Sequence, residues 1–346
     1  MRVRMVFFGL IMAVLIAFSA CETDVVTINV FNWGSFIDPE VLDIFTQETG
    51  IRVIYNTYAT NEEMYYRIRD GRESFDVLFP SDYMIYRMIA EGMLAPLNWD
   101  NIPNAEYIFD QFWYLDFDPG NRYSVPYMWG TFGILYNTTM VDIPVESWEI
   151  LWDTQFEGEI FMYASSRDTF GAVLRMLGYS VNTTSLGELN AARDKLIMQM
   201  PLVRAYLGDP IMHSMIGREG ALATVFSGDA FFCMNENPEL NYVIPQEGSF
   251  MFFDSMVIPV TSTHKAEAEA FINFMTRPDI ALMNTMYIGY STTNRGAFYM
   301  LPYEWQNHPV YWPGYEYLEG LEILQDVGEF RQEFHRAWTE VMVAGG

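Results

Sequence analysis

One aspartate of this 346-residue chain lies inside a predicted strand that should be buried on both faces. Phe252 and Asp254 stand two residues apart, so both side chains point to the same face of that strand. An ionised carboxylate is costly to bury unless a cation or several hydrogen-bond donors replace its water. No Lys or Arg occurs between Glu219 and His264. We therefore expect a distant segment or a ligand to supply the cation, with backbone N–H groups or Ser255 as alternative donors.

Aromatic residues also stand beside carboxylates at the ends of other predicted strands. An aromatic face attracts a cation and packs against methylene groups, while a carboxylate accepts hydrogen bonds from an ammonium. Core packing is the better explanation of any single pair, but their recurrence at strand ends favours a binding site for an alkylammonium. The other members of the set are Trp33, Asp82, Tyr83, Phe226 and Asp229.

The charge balance is strongly acidic, with a formal net charge of −26. This charge argues against nucleic acid and anionic membrane surfaces as partners, and it attracts cationic small molecules. The histidines share no metal-ligand spacing with cysteines or carboxylates, and the sequence has neither a Gly-rich phosphate loop nor a G-x-S-x-G elbow. We therefore predict no metal, no cofactor and no enzymatic activity. A pair of catalytic carboxylates brought together by the fold is the alternative.

The N-terminal residues resemble a bacterial lipoprotein signal peptide. Arg2 and Arg4 precede an apolar run at 5–18 that is too short to span a bilayer, and two small residues and Cys21 follow it. We predict that residues 1–20 are removed and that Cys21 then carries a lipid that anchors the chain to a membrane. An ordinary secretory signal with a chance cysteine is the alternative. The only other cysteine is Cys233, so we expect no intramolecular disulfide.

Strand and helix patterns alternate in the first part of the chain. A parallel sheet flanked by helices is the usual result, and its strand ends form a ligand-binding edge. We predict that Asn61 is the N-cap of the second helix. The predicted strands cover 25–32, 51–58 and 75–80, and the predicted helices cover 39–50, 61–70 and 82–92.

The length of the chain predicts a second lobe. About 325 residues would remain after removal of the signal peptide, and these are too many for one ordinary core. We expect crossovers between the lobes near 129–137 and 255–259. The first lobe would comprise 21–133 with 256–302, and the second 134–255 with 303–346. The predicted helices cover 147–151, 169–177, 186–200, 202–207, 264–275 and 330–343, and the predicted strands cover 159–163 and 221–226.

Short motifs along nearly the whole mature length resemble the periplasmic spermidine/putrescine-binding proteins that feed ABC importers. Their order and spacing are specific, although each motif alone is weak. The segments are Phe31-Asn32-Trp33-Gly34-Ser35 with Ile37-Asp38-Pro39, Glu48-Thr49-Gly50-Ile51, Ser81-Asp82-Tyr83, Tyr123-Ser124-Val125-Pro126-Tyr127-Met128-Trp129-Gly130, Leu177-Gly178-Tyr179-Ser180, Asp254-Ser255 with Ile258-Pro259, and Ile288-Gly289-Tyr290.

The resemblance implies an α/β fold with two lobes, each a mixed, mainly parallel sheet flanked by helices, and a cleft between them that holds a linear polyamine. Asp168 would receive an amine, Asp254 would grip an amine inside a box of aromatic rings, Tyr290 would form a further wall, and Gln325 would make a polar contact. The full set of implied ligand-binding residues is Trp33, Gly34, Ser35, Ser81, Asp82, Tyr83, Ser165, Asp168, Phe226, Asp229, Phe252, Asp254, Tyr290 and Gln325.

Three positions depart from the pattern of spermidine-binding proteins. Ser165 stands where a second aspartate is common, and Phe226 and Phe252 stand where tryptophans occur. Phenylalanine keeps the ring face but lacks the indole N–H and attracts cations less strongly, which leaves the preference between spermidine and putrescine open. Asp229 either restores a carboxylate or is a solvated loop residue.

The resemblance also implies partners and a location. We expect a polyamine as ligand, an ABC permease of the inner membrane as partner, and a monomer tethered in the periplasm through Cys21. Another cationic or zwitterionic solute is the alternative ligand. A surface sensor or adhesin that responds to a cationic solute is the alternative function.

Overall fold

The structure, a computed structural model, describes residues 25–314, 318 and 320–345. The predicted signal peptide and Cys21 lie outside these residues. Within them, no helix is both long and apolar enough to cross a bilayer. The first elements alternate between strand and helix as predicted. They are β1 (Thr27–Trp33), α1 (Pro39–Thr49), β2 (Arg52–Tyr58), α2 (Asn61–Asp70), β3 (Val77–Leu78) and α3 (Asp82–Ala90).

The later elements continue the α/β pattern. In chain order they are β4 (Ser124–Asn137), β5 (Ile160–Tyr163), α4 (Ser166–Met176), α5 (Leu186–Gln199), β6 (Val203–Leu207), α6 (Pro210–Ile216), β7 (Leu222–Phe226), α7 (Ser227–Glu236), β8 (Leu240–Val243), β9 (Phe250–Val257), α8 (Lys265–Met275), α9 (Pro278–Ile288), β10 (Ser291–Thr292), α10 (Arg295–Met300), α11 (Tyr303–Gln306), β11 (Glu322–Ile323) and α12 (Arg331–Ala344). Short 3-10 helices lie at Trp99–Asn101, Pro103–Tyr107, Asp110–Phe112, Trp148–Trp152, Thr154–Phe156, Met200–Leu202 and Gly328–Phe330.

The strand β4 belongs to two sheets. Its first half pairs antiparallel with β9 and β10, and its second half pairs antiparallel with β7 and β8. The first sheet continues from β9 through β3 to the parallel strands β1 and β2. Nearly every residue of β4 is buried, which fits its run of apolar and small residues. The two sheets therefore meet along one continuous strand.

The second sheet contains three parallel strands. The strand β5 lies between β7 and β6 and is parallel to both. Parallel pairing brings the carboxyl ends of these strands to one edge of the sheet, and α4, α6 and α7 begin just beyond that edge.

The helix predicted at 202–207 is wrong, because residues Val203–Leu207 form β6. Arg204, Ala205 and Leu207 favour helices in isolation. The edge of β5 offers unpaired backbone groups, however, and the pairing of Tyr163 with Leu207 satisfies them. Tertiary pairing therefore overrides the local preference.

The predicted N-cap of α2 is also wrong. Thr60 is the N-cap, and its side chain accepts a hydrogen bond from the Glu63 backbone N–H at 3.1 Å. Asn61 is already helical and buried. Its amide is therefore available for contacts outside its own helix.

Candidate ligand-binding site

Three aromatic rings pack together where the two sheets meet. Phe226 ends β7, Phe252 lies in β9 and Tyr290 follows α9. The ring centroids of Phe226 and Phe252 are 4.9 Å apart at 68°, and those of Phe252 and Tyr290 are 5.8 Å apart at 73°. Such edge-to-face contacts hold the rings in fixed orientations. Aromatic residues that are far apart in the sequence thus form one wall.

Asp254 lies beside this wall and is 5% exposed. Its Oδ1 atom accepts a hydrogen bond from the Ser81 hydroxyl at 2.7 Å. Neither alternative donor considered above is used: the buried Ser255 hydroxyl has no partner, and no backbone N–H among the described residues donates to the Asp254 carboxylate. One neutral hydroxyl is little compensation for a buried charge.

Ser81 is held in place by Asn61. The Asn61 amide nitrogen donates to the Ser81 hydroxyl at 3.1 Å and to the Tyr83 hydroxyl at 3.2 Å, and its oxygen accepts from the Ser81 backbone N–H at 3.2 Å. The Tyr83 hydroxyl in turn donates to Glu62 at 3.1 Å. Asn61 is not among the predicted site residues, because the sequence favours a helix-capping role for its side chain.

Asp82 has a different environment from Asp254. Its side chain is 0% exposed, and its two carboxylate oxygens accept hydrogen bonds from the Tyr83 and Phe253 backbone N–H groups at 2.7 and 3.1 Å. These bonds tie the start of α3 to β9. Asp82 thereby fixes the distance between Ser81 and Asp254 instead of presenting an oxygen to the cleft.

Asp229 contacts the aromatic wall through Tyr290, whose hydroxyl donates to its Oδ1 atom at 2.8 Å. The preceding residue, Gly228, allows this contact. A β-carbon at Gly228 would lie 2.2 Å from a carbon of the Tyr290 ring, far inside van der Waals distance. The glycine is therefore required by the close approach of the ring.

Asp168 lies in the first turn of α4 and is partly buried. Its neighbour Arg167 is 8% exposed, donates to Asn182 Oδ1 at 3.2 Å, and places its guanidinium 5.9 Å from the Tyr83 ring centre and 4.8 Å from that of Phe334. Arg167 thus lies near the rings of two residues, Tyr83 and Phe334, that are far apart in the sequence.

Two further residues reach the site without having been predicted. Tyr163 ends β5, and its ring centroid is 5.1 Å from that of Phe226. Asp209 follows β6, and its Oδ2 atom lies 3.9 Å from the position that a β-carbon of Gly34 would take. Both carry the same signal as the predicted site residues, a polar or aromatic residue at a strand end. For Asp209 that signal was hidden by the wrong helix at 202–207.

The remaining predicted residues lie around the site. Trp33 packs against Tyr58 at 4.6 Å, and its indole N–H donates to the Phe79 carbonyl at 2.9 Å. Gly34 and Ser35 form an exposed turn, and Ser165 precedes α4.

Gln325 is exposed, and the structure connects it to Arg167 through a shared partner. Its backbone N–H donates to Asn182 Oδ1 at 2.8 Å, the same oxygen that accepts from Arg167.

The site is acidic, and no cation of the residues that the structure describes is in direct contact with its carboxylates. None of the ion pairs among the described residues includes Asp168, Asp209, Asp229 or Asp254. Nor do these residues contain a group of His, Cys, Asp or Glu that could hold a metal ion. The combination of aromatic rings and carboxylates is one that suits an organic cation.

Burial changes the acidity of three of these carboxyl groups. It raises the pKa of Asp254 to about 7, with the Ser81 hydrogen bond opposing the rise and the charge of Asp168 adding to it. Burial also raises the pKa of Asp229 to about 7, opposed by Tyr290 and reinforced by Asp209. The pKa of Asp168 rises to about 6 through burial, although Ser165 and Arg167 lower it. A bound cation would favour the ionised form of all three.

Comparison with known proteins identifies the family. A family model described as bacterial extracellular solute-binding protein matches residues 73–320. The chain belongs to this family. It is therefore a solute-binding protein and not an enzyme. A second family model, described as hypothetical lipoprotein, matches residues 1–105.

The solute-binding protein is similar to several known proteins. It is 35% identical over 304 residues to the spermidine/putrescine-binding periplasmic protein of Escherichia coli, covering 87% of each chain. A solved structure from Listeria monocytogenes, described as a putative spermidine/putrescine ABC transporter, has 40% identity and a TM-score of 0.89, with 91% of this chain and 98% of that chain covered. A lipoprotein of Treponema pallidum has 26% identity and a TM-score of 0.83, with 91% and 99% covered. The predicted α/β fold of two lobes is confirmed.

Proposed function

We propose that this solute-binding protein captures a linear polyamine, spermidine or putrescine or both, in the cleft between its lobes and delivers it to an ABC permease. Asp254 carries the proposal, because it is a buried carboxylate beside aromatic rings, and Ser81 is its only side-chain hydrogen-bond donor among the described residues. An ammonium would supply the missing charge, and the ligand methylenes would lie against the rings. The names of the relatives from E. coli and L. monocytogenes support this choice of ligand.

We assign the aromatic wall and the carboxylates to direct ligand contact and the surrounding polar residues to positioning. Asp82 and Asn61 position Ser81, and Gly228 positions Tyr290. The proposed binding residues are Trp33, Gly34, Ser35, Ser81, Tyr83, Ser165, Asp168, Phe226, Asp229, Phe252, Asp254, Tyr290 and Gln325, with Asp82 in support.

We further propose that the protein acts as a monomer whose lobes comprise 21–133 with 256–302 and 134–255 with 303–346. Two neighbouring strands, β4 and β9, would then carry the chain between the lobes. Closure of the lobes around a polyamine would be a hinge motion about these strands.

Calorimetric titration of ligand-free protein tests the proposed ligand. We expect saturable binding of spermidine or putrescine. Butylamine should bind more weakly, because its single ammonium cannot pair with Asp254 and with Asp168 or Asp229 at the same time. Cadaverine and spermine define the preferred length. The absence of binding by any polyamine would overturn the proposal. In cells, deletion of the gene should reduce polyamine uptake, whereas unchanged uptake would favour a sensor.

Polyamine affinity should fall as the pH is lowered. The ligand ammonium groups stay charged, but the carboxyl groups of Asp254 and Asp229, with pKa values of about 7, hold protons below neutrality and must lose them when a cation binds. We expect at least about tenfold weaker binding at pH 5.5 than at pH 8, and release of roughly one proton per ligand at pH 7. Calorimetry in two buffers of different ionisation enthalpy measures the protons. Equal affinity at both pH values would contradict this assignment of the carboxylates.

We also propose that the protein is a lipoprotein anchored through Cys21. The signal-like N-terminus and the lipoprotein family model that matches residues 1–105 support this. In cells grown with labelled palmitate, we expect the wild type to carry label and Cys21→Ala to carry none. Label on Cys21→Ala would contradict the anchor and leave the binding function untouched.

A further inference from the structure

Asp209 occupies an unusual position for the residue before a helix. It is the N-cap of α6, yet its side chain makes no capping hydrogen bond. An aspartate at this position ordinarily accepts a hydrogen bond from the first turn of its helix. The Asp209 carboxylate instead lies next to Gly34 in the turn after β1, on the other sheet.

The topology explains how Asp209 arrives there. The pairing of Tyr163 with Leu207 places the ends of β5 and β6 side by side, and the Ala164 backbone N–H donates to the Leu207 carbonyl at 2.8 Å. Asp209 follows two residues later. The three parallel strands of the second sheet thus each deliver one aspartate beyond their carboxyl ends, and these are Asp168, Asp209 and Asp229.

The charge of Asp209 reaches other groups at this edge of the sheet. Burial raises the pKa of both Asp229 and Tyr163, and the charge of Asp209 adds to each rise. Carboxylates gathered at one edge of a sheet repel each other unless a cation lies between them. An ammonium between them would remove the repulsion and donate hydrogen bonds to both carboxylates.

We propose that Asp209 is a further ligand-binding residue, which holds the same ammonium as Asp229 and selects ligands that carry a cation at that end of the cleft. This inference rests on the proposed function. Because Asp209 comes from the second sheet and faces the Gly34 turn beside the first, its contact with the ligand would also link cation binding to closure.

The test is spermidine titration of Asp209→Asn. Loss of a charge-assisted hydrogen bond at an exposed position should weaken binding about tenfold. Asp209→Glu, which keeps the charge, should recover most of the affinity. Asp142→Asn, which removes the same charge from an exposed loop after β4, should stay within about twofold of the wild type.

Two readouts separate a ligand contact from a structural role. Removal of Asp209 should lower the pKa of Asp229, so Asp209→Asn should release fewer protons on binding spermidine at pH 7 than the wild type. In a double-mutant cycle, Asp209→Asn and Asp229→Asn should be non-additive, because both contact one ammonium.

Asp209→Asn with affinity within about twofold of the wild type would overturn the inference, and so would additive effects in the cycle. Both outcomes require a wild type that binds spermidine and would leave the proposed function intact. A wild type that binds no polyamine would overturn the proposed function and this inference together.

Discussion

Asp254→Asn is expected to weaken spermidine binding by about 30-fold to a few thousand-fold, which corresponds to about 2–5 kcal/mol for the loss of one partner of a buried charge pair. Asparagine has nearly the same shape and keeps one carbonyl oxygen for the Ser81 hydroxyl, so β9 and the packing of Phe252 should be preserved. The substitution therefore removes charge and little else. Calorimetric titration measures the loss.

The same variant should be as stable as the wild type, or more stable, when no ligand is present. The pKa of Asp254 is about 7 in the folded protein and near 4 in an unfolded chain, so the folded state binds more protons between these values. The contribution of Asp254 to stability therefore falls as the pH rises from about 4 to about 7. The stability gained by Asp254→Asn should accordingly be larger at pH 8 than at pH 5. A variant that melts at a lower temperature and binds normally would refute the assigned role.

Gly228→Ala should weaken spermidine binding by about 10- to 100-fold. The added methyl group would overlap the Tyr290 ring, so the ring must move and its hydrogen bond to Asp229 must break. Loss of a hydrogen bond to a charged group costs about 1.5–3 kcal/mol, and overpacking should lower the unfolding free energy by about 1–3 kcal/mol. Titration and thermal unfolding of the same variant measure both effects.

Gly187→Ala is the matched control. Gly187 is the second residue of α5, as Gly228 is of α7, and a β-carbon there would meet only the Ser185 hydroxyl at 3.8 Å. Alanine is a better helix former than glycine, so this variant should be slightly more stable and should bind normally. If both variants lose affinity alike, the cause is a change of helix N-termini in general, and the role given to the Tyr290 contact is wrong.

Much of the fold follows from local sequence signals. The predicted helix at 39–50 corresponds to α1, which ends at Thr49. Gly50 follows as its C-cap in a left-handed conformation with φ of 72°. Aromatic and acidic residues at strand ends identified Phe226, Phe252 and Asp254, because the strand period fixes which side chains share a face. Such signals depend on neighbours within a few residues.

What escaped prediction depends on partners that are distant in the sequence. Strand β6 forms because β5 provides an edge. The location of Asp209 at the site cannot be predicted without β6, because Asp209 follows the end of that strand. Asp82 is an acidic residue after a strand, which predicts contact with the ligand. The hydrogen bonds that its carboxylate accepts from the backbone N–H groups of Tyr83 and Phe253 exist only in the folded chain. Local patterns name the residues at a site, and long-range packing decides which of them face the ligand.

The edge where β5 and β7 end is also where α4 and α7 begin. Free N–H groups and the helix dipole give such an edge a positive potential, which in other proteins holds phosphates and carboxylates. Here Asp168 and Asp229 lie in the first turns of those helices, so the chain itself places negative charge at this edge. The electrostatic preference of the edge is thereby inverted. Replacement of these two side chains by neutral ones, with the backbone unchanged, would return a positive potential to the edge.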